Sequence, residues 1–290
     1  MKLARVTFAG PEPEPAVAIE DRWVRLRALR PDLPDMTAAL GALDDVRKAV
    51  DGADLTALVD RTDKVAVEGA DLSLPLDRTR KLLAIGRNYL AHIEETNEQR
   101  PAAPILFGKF PSALTGPFDD VVIDHRLTQQ ADYEVELAVV IVGPARALTA
   151  ENAIGAVAGY AVANDLSSRD LQFSEAQWIR SKSLDGFCPL GPWITTADEV
   201  TDPMALDLGT SVNGEIRQAS NTTRMLFDIT ELLVYLSQGI TLQPGDVVLT
   251  GTPEGVALGM DTPKWLQAGD MVRCHVEGLG HIENRMVSPT

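Results

Sequence analysis

Asp132-Tyr133-Glu134-Val135-Glu136-Leu137-Ala138-Val139-Val140-Ile141-Val142 is the stretch on which the reading of this chain turns. A short run of apolar and β-branched residues, ended by Gly143-Pro144, reads as a β-strand. In a strand, residues i and i+2 share a face, so Glu134 and Glu136 present two carboxylates about 7 Å apart while Val135 and Leu137 point the other way. On the wet face of an antiparallel sheet such a pair is ordinary. On a buried face the two like charges oppose joint ionisation unless a cation lies between them.

Further along, Gly159-Tyr160-Ala161-Val162-Ala163-Asn164-Asp165 is an apolar strand that stops on an acid and runs into Ser167-Ser168-Arg169-Asp170. A strand fixes the position of a residue at its mouth while the tip meets solvent, which makes Asp165 the third candidate ligand. Two Glu and one Asp, with no His or Cys at metal spacing, select Mg²⁺ or Mn²⁺ over Zn²⁺. Upstream, Ile85-Gly86-Arg87-Asn88-Tyr89-Leu90-Ala91-His92-Ile93-Glu94-Glu95 reads as a strand turning through glycine into a helix. His92 and Glu95 then stand at i and i+3, where the carboxylate can orient the imidazole as a base. Lys182, in a turn-rich segment, is a candidate for binding an anionic substrate or stabilising a developing enolate. The glycines of Thr250-Gly251-Thr252-Pro253-Glu254-Gly255-Val256 allow main-chain amides to approach a carboxylate, and no Gly-Lys-Ser/Thr ending makes this a phosphate loop.

Around these stretches the chain divides at about residue 75. Residues 1–75 read as a small unit with strands at 3–8 and 16–19 and helices at 36–50 and 54–59; residues 76–290 hold every chemical motif. Strands are expected there at 82–85, 121–123, 133–142, 156–164, 193–195, 208–212, 246–250 and 271–276. Helices are expected at 89–97, 150–154, part of 168–178, and 230–238, the last with a cap signal at Asp228. The 290 residues carry 26 Lys plus Arg against 42 Asp plus Glu, and a net charge of −16 repels phosphate backbones and anionic lipid. A nucleic-acid or membrane partner is not expected. The N-terminal Pro-Glu-Pro-Glu-Pro run interrupts any apolar leader, and two cysteines, Cys188 and Cys274, suit a reducing compartment, so the expected location is the cytoplasm.

Six motifs in order, GRNYLAH at 86–92, KFPSAL at 109–114, DYEVELAVVI at 132–141, NDLSSRDLQ at 164–172, KSLDGFCPLGPW at 182–193 and TGTPEGV at 250–256, resemble the fumarylacetoacetate hydrolase superfamily. The resemblance implies an α+β, mainly β fold: a mixed β-roll or β-sandwich catalytic domain with a small N-terminal α/β domain, in a homodimer. It implies Mg²⁺ or Mn²⁺ on Glu134, Glu136 and Asp165, a general-base pair of His92 and Glu95 on a lid helix, and Lys182 as a catalytic cation. Arg169, Gln172 and Thr252 match positions that bind substrate. The implied reaction is hydrolysis of a C–C bond in a 2,4-dioxo acid, an acylpyruvate or a 2,4-diketo-3-deoxy sugar acid, to pyruvate and a carboxylic acid. Decarboxylation of oxaloacetate and isomerisation of a dienol acid are alternatives within the same family. Polar neighbours such as Asn88, Ser112, Ser167 and Asn221 would suit a hydroxylated substrate.

Overall fold

The computed structural model describes residues 1–8, 10–20, 22–54 and 71–289. Strand Val135–Ile141 runs through a large mixed sheet, antiparallel to Val157–Asn164 on one side and to Val247–Leu249 on the other. Past Val157–Asn164 the sheet continues through Cys188–Thr196, Lys2–Val6, Glu14–Ile19 and Arg22–Arg25. Past Val247–Leu249 it continues through Leu82–Gly86, which is parallel to its neighbour, and ends on Ile105–Lys109. A second sheet orders Glu215–Asn221, Asp207–Val212, Met271–Val276, Gly280–Val287 and Val121–Val122. Helices are short, and the expected α+β, mainly β fold is what forms.

Every residue of strand 135–141 is buried, because both faces of the sheet are covered. Val135, Leu137, Val139 and Ile141 join one core with Leu208, Val272 and Ile282 of the second sheet. Ala138 and Val140 join another with Leu3, Met36, Leu40 and Ile194. Such two-sided burial is why the run reads as almost unbroken apolar sequence. Glu136 keeps the phase of Ala138 and Val140, so its carboxylate ends an otherwise apolar column. With Glu134 and Glu136 both buried, the wet-face alternative is overturned.

The N-terminal strand adds directly to the main sheet, Lys2 opposite Thr195 and Leu3 opposite Ile194. Leu3, Leu26 and Met36 share their core with Leu82, Ala138 and Leu190, so both parts of the chain contribute to one apolar layer.

The helix expected at 150–154 does not form. The Asn152 side chain accepts from the Thr149 N–H at 2.8 Å, and the N–H groups of Asn152 and Ala153 both turn back to the Thr149 carbonyl. This local bonding competes with a helix, and only a 3₁₀ turn, Ile154–Ala156, precedes the next strand. The helix expected at 54–59 lies, apart from Asp54, outside the described residues. The helix at Ile229–Ser237 starts where its cap signal places it: Asp228 accepts from the Glu231 N–H at 2.8 Å and Glu231 accepts from the Asp228 N–H at 2.9 Å. No helix of the described residues is long and apolar enough to cross a membrane.

Candidate active site

Antiparallel register assembles the acidic cluster. Glu136 lies opposite Ala163 and Val135 opposite Asn164, so the next step brings Glu134 beside Asp165. The Asp165 N–H donates to the Glu134 carbonyl at 2.8 Å, and the Glu134 N–H donates to the Asn164 side-chain oxygen at 2.9 Å. Carboxylate oxygens of Glu134, Glu136 and Asp165 lie within 4.8 Å of one another, and all three residues are buried.

Buried cations hold two of the three. Lys182 Nζ donates to Glu134 Oε2 at 2.6 Å and to Asp165 Oδ2 at 2.9 Å. Arg169 donates from Nη2 to Glu134 Oε1 at 2.6 Å, from Nε to Asp132 Oδ2 at 2.9 Å and from Nη1 to Gln172 Oε1 at 2.9 Å. Lys109 Nζ donates to Asp165 Oδ1 and, at 2.9 Å, to the Phe187 carbonyl. Glu136 is different: its Oε2 accepts from the Gly251 N–H at 2.6 Å, and it has no ion-pair partner among the described residues.

The consequences are electrostatic. Burial opposes the charge on Glu134, but Lys182, Arg169 and His92 outweigh it and bring that carboxyl down to about 2. Burial pushes Glu136 well above the usual carboxylate range, and the charges of Asp165 and Glu134 push the same way. Burial also works against the Lys182 ammonium, yet Asp165 and Glu134 hold it above the ordinary lysine value. The Lys182 ammonium is thus anchored between two buried carboxylates. Four buried carboxylates, Asp132, Glu134, Glu136 and Asp165, face three buried cations, Lys109, Arg169 and Lys182. The missing positive charge falls at Glu136, and the donors around it are all carboxylate oxygens, which suits a hard divalent cation.

The second half of the site comes from the turn after strand Leu82–Gly86 and the helix Leu90–Glu95. Asn88 anchors this turn, donating from Nδ2 to the carbonyls of Thr250 at 2.8 Å and Phe227 at 3.0 Å. His92 Nδ1 lies 2.8 Å from Glu95 Oε1, and Glu95 Oε2 accepts from the Gly255 N–H at 2.8 Å. A proton on Nδ1 would be donated to this carboxylate, which would leave Nε2 free on the other side of the ring. Gly259 backs the pair closely: a Cβ there would stand 2.5 Å from the Glu95 carboxyl carbon.

One cavity of about 160 Å³ joins these parts. Every site residue expected from the sequence lines it except Glu95, which stands behind His92. Arg169 and Gln172 are in place, but the Arg169 guanidinium is engaged with Asp132, Glu134 and Gln172. The Thr252 hydroxyl donates to the Val135 carbonyl at 2.9 Å and accepts from Gln218 Nε2 at 2.9 Å. Asn88 and Ser167 are buried and turned onto main-chain groups rather than towards the cavity, so they do not supply the polar lining that a hydroxylated substrate would need.

Three residues escaped the sequence reading. Lys109 ends strand Ile105–Lys109, where a lysine ordinarily meets water; here its ammonium is fully buried against Asp165. Asp132 accepts from Arg169 and from the N–H groups of Ala257 at 2.8 Å and Leu258 at 3.1 Å, tying the loop after Thr252 to the acidic cluster. Gln218 reaches across from the second sheet to Thr252. No local signal distinguishes Lys109 or Gln218 from surface residues. For Lys109→Met we expect a loss of about 1–3 kcal/mol in stability, because Asp165 keeps its bond from Lys182 at 2.9 Å while its other oxygen is left buried without a donor. The urea midpoint of the purified variant measures this, and Asp165→Asn in the same chain should recover much of the loss.

Fold and site together describe a β-rich protein with three buried carboxylates that could hold a metal ion and a His–Glu pair lining or backing the same cavity. Residues 81–287 match the family described as fumarylacetoacetate (FAA) hydrolase C-terminal, and the chain belongs to that family. The mitochondrial oxaloacetate tautomerases of Bos taurus and Homo sapiens are 45% identical to it over 205 residues, 70% of this chain. The match spans 65% of those relatives' own length. Among solved structures, fumarylacetoacetate hydrolase from psychrophilic Exiguobacterium antarcticum is 37% identical, with a TM-score of 0.83 over 100% of both chains. Maleylpyruvate hydrolase from Sphingobium sp. SYK-6, solved in complex with manganese (II) ion and pyruvate, is 31% identical, with a TM-score of 0.81 over 100% of both chains.

Proposed function

We infer that this chain is a Mg²⁺- or Mn²⁺-dependent hydrolase that cleaves the C3–C4 bond of a small 2,4-dioxo acid, giving pyruvate and a carboxylic acid. The observation that carries this reading is the oriented His92–Glu95 pair lining the same cavity as the three carboxylates and the Lys182 ammonium. Glu134, Glu136 and Asp165 would hold the cation, which when bound supplies Lewis acidity and a template for the oxygens of a 2-oxo acid. His92 Nε2 takes a proton from water, and the hydroxide attacks the C4 carbonyl. Glu95 pairs with the imidazolium that forms. Collapse of the tetrahedral adduct breaks the C3–C4 bond, and its electron pair passes to the 2-oxo group as an enolate beside the Lys182 ammonium. His92 returns its proton to C3, completing pyruvate.

A second reading, keto–enol tautomerisation of oxaloacetate, is favoured by the names of the 45% identical relatives. It uses the same groups: His92 removes a proton at C3 and delivers one to oxygen, or the reverse, with no water consumed. A cytoplasmic homodimer acting on a small anionic substrate goes with either reading, although those relatives are named mitochondrial. A charge of −16 makes local cations such as Lys182 necessary for capturing an anion.

The test is pyruvate release from a panel of 2,4-dioxo acids, with Mn²⁺ or Mg²⁺ and with chelator, alongside CO₂ trapping and the decay of oxaloacetate enol absorbance. Metal-dependent pyruvate with one equivalent of carboxylic acid and no CO₂ is the expected result. Accelerated enol decay with intact dioxo acids would replace hydrolysis by tautomerisation, and CO₂ from oxaloacetate would replace both by decarboxylation.

A further inference from the structure

The loop at residues 252–258, behind the His92–Glu95 pair, is anchored at both ends. At its start Gln218 Nε2 donates to the Thr252 hydroxyl and to the Pro253 carbonyl, both at 2.9 Å. At its end the N–H groups of Ala257 and Leu258 donate to the Asp132 carboxylate at 2.8 Å and 3.1 Å. Between these anchors lies Gly255, and both of its main-chain groups are engaged. Its carbonyl accepts from the Tyr133 hydroxyl at 3.1 Å, and its N–H donates to Glu95 Oε2 at 2.8 Å.

Position 255 has to be glycine. Its φ is 101°, and a Cβ there would stand 2.1 Å from the Arg217 carbonyl oxygen of the second sheet. A residue without a side chain turns about its two backbone bonds at little cost, so the direction of its N–H depends on what holds its carbonyl. Tyr133 does the holding from outside the cavity. It is fully buried, and its ring packs in the core shared by Val135, Leu137 and Val139. Phenylalanine would fill that core space equally well; the phenol adds a hydroxyl that burial obliges to find a partner, and here the partner is Gly255.

We propose that Tyr133 is a positioning residue for the acid–base pair: by holding the Gly255 carbonyl, its hydroxyl aims the Gly255 N–H at Glu95 and so fixes the carboxylate that orients the His92 imidazole. The contacts run from Tyr133 through Gly255 to Glu95 Oε2, and from Glu95 Oε1 to His92 Nδ1 at 2.8 Å. Without the hydroxyl, Gly255 is free to turn while Pro253 and Leu258 stay anchored by Gln218 and Asp132. The loop keeps its place, but Glu95 loses its main-chain donor; its carboxylate turns, and the imidazole turns with it. The proposal rests on the reading that His92 transfers the proton.

Tyr133→Phe tests this, because it keeps the ring in the core and removes a single oxygen. Turnover is followed on the Mg²⁺-loaded chain as pyruvate release from 2,4-dioxopentanoate and as decay of oxaloacetate enol. The imidazole rings are followed by nitrogen NMR, with the His92 signals assigned by their loss in His92→Ala. We expect kcat to fall about tenfold with KM nearly unchanged, since a misaimed base costs rate rather than binding. The ring nitrogens of His92 should shift while those of His125, His275 and His281 stay where they are. In the His92→Ala background Tyr133→Phe should lower the residual rate no further, because residues that act through one group are not additive. A bond that served the fold alone would lower Tm and leave kcat and the His92 signals unchanged, and that result would overturn the proposal. So would an undiminished fall in the His92→Ala background. If neither substrate turns over, the proton-transfer reading of His92 fails by itself, and the His92 signals in Tyr133→Phe still decide whether Tyr133 positions the ring.

Discussion

Glu136→Gln is expected to lose essentially all activity and all response to Mn²⁺ while folding at least as well as the wild type. The amide replaces the carboxylate without change of shape, and its oxygen still accepts from the Gly251 N–H that Glu136 meets at 2.6 Å. What disappears is the negative charge that burial, Asp165 and Glu134 all oppose. The metal-free variant should therefore melt at or above the metal-free wild type. In the wild type, Mn²⁺ at a hundred times its dissociation constant adds about 2.7 kcal/mol, because the ion binds only the folded chain. At about 2–4 °C per kcal/mol for a domain of this size, that is a rise in Tm of roughly 5–10 °C. The variant should show none. Losing a Lewis acid that contributes several kcal/mol to the transition state should lower kcat/KM by about three orders of magnitude. A normal Mn²⁺ shift in the variant would remove Glu136 from the ligand set.

The acidic cluster was legible because its geometry follows from period and position. Alternation puts Glu134 and Glu136 on one face, and an apolar strand ending on an acid puts Asp165 at the mouth of the sheet. The register that joins them, Glu136 opposite Ala163, is a long-range pairing that no local pattern specifies; the family resemblance implied only that the three acids share one site. His92 and Glu95 were legible for the same reason, since helical spacing alone brings i and i+3 together.

Residues whose environment is made by distant chain were not legible. Lys109 sits at a strand end where solvent is the ordinary neighbour, and only the folded sheet closes Asp165 over it. Gln218 and Asn284 occupy inward-facing strand positions where alternation calls for an apolar side chain. Asn284 is buried, with Nδ2 donating to the carbonyls of Gly116 at 3.1 Å and Asp119 at 2.8 Å. Such buried polar residues broke the alternation of strands Glu215–Asn221 and Gly280–Val287, and neither strand was expected. The N-terminal strand shows the same limit: its first partner in the main sheet lies almost two hundred residues away, Lys2 against Thr195.

For His92→Ala the opposite pattern to Glu136→Gln is expected: the metal response survives and the chemistry does not. His92 touches the acidic cluster only through the field it adds at Glu134, where Lys182 and Arg169 act more strongly. The carboxylates and their anchors should stay in place, and Mn²⁺ should still raise Tm by the wild-type amount. Glu95 keeps its bond from the Gly255 N–H at 2.8 Å, so the loop and the helix remain joined. What is lost is the imidazole placed to accept a proton in the cavity, while the Lys182 ammonium stays bonded to Asp165 and Glu134. A positioned general base contributes about 10²–10⁴-fold, and that is the expected fall in kcat, with KM changed much less. Glu95→Gln should fall between the two, since the imidazole keeps its place but loses the charge that pairs with its protonated form. Hydrolysis and tautomerisation both pass a proton through this nitrogen, so His92→Ala tests the site under either reaction. Turnover at the wild-type rate would show that another group carries the proton and that the imidazole, though oriented, only lines the cavity.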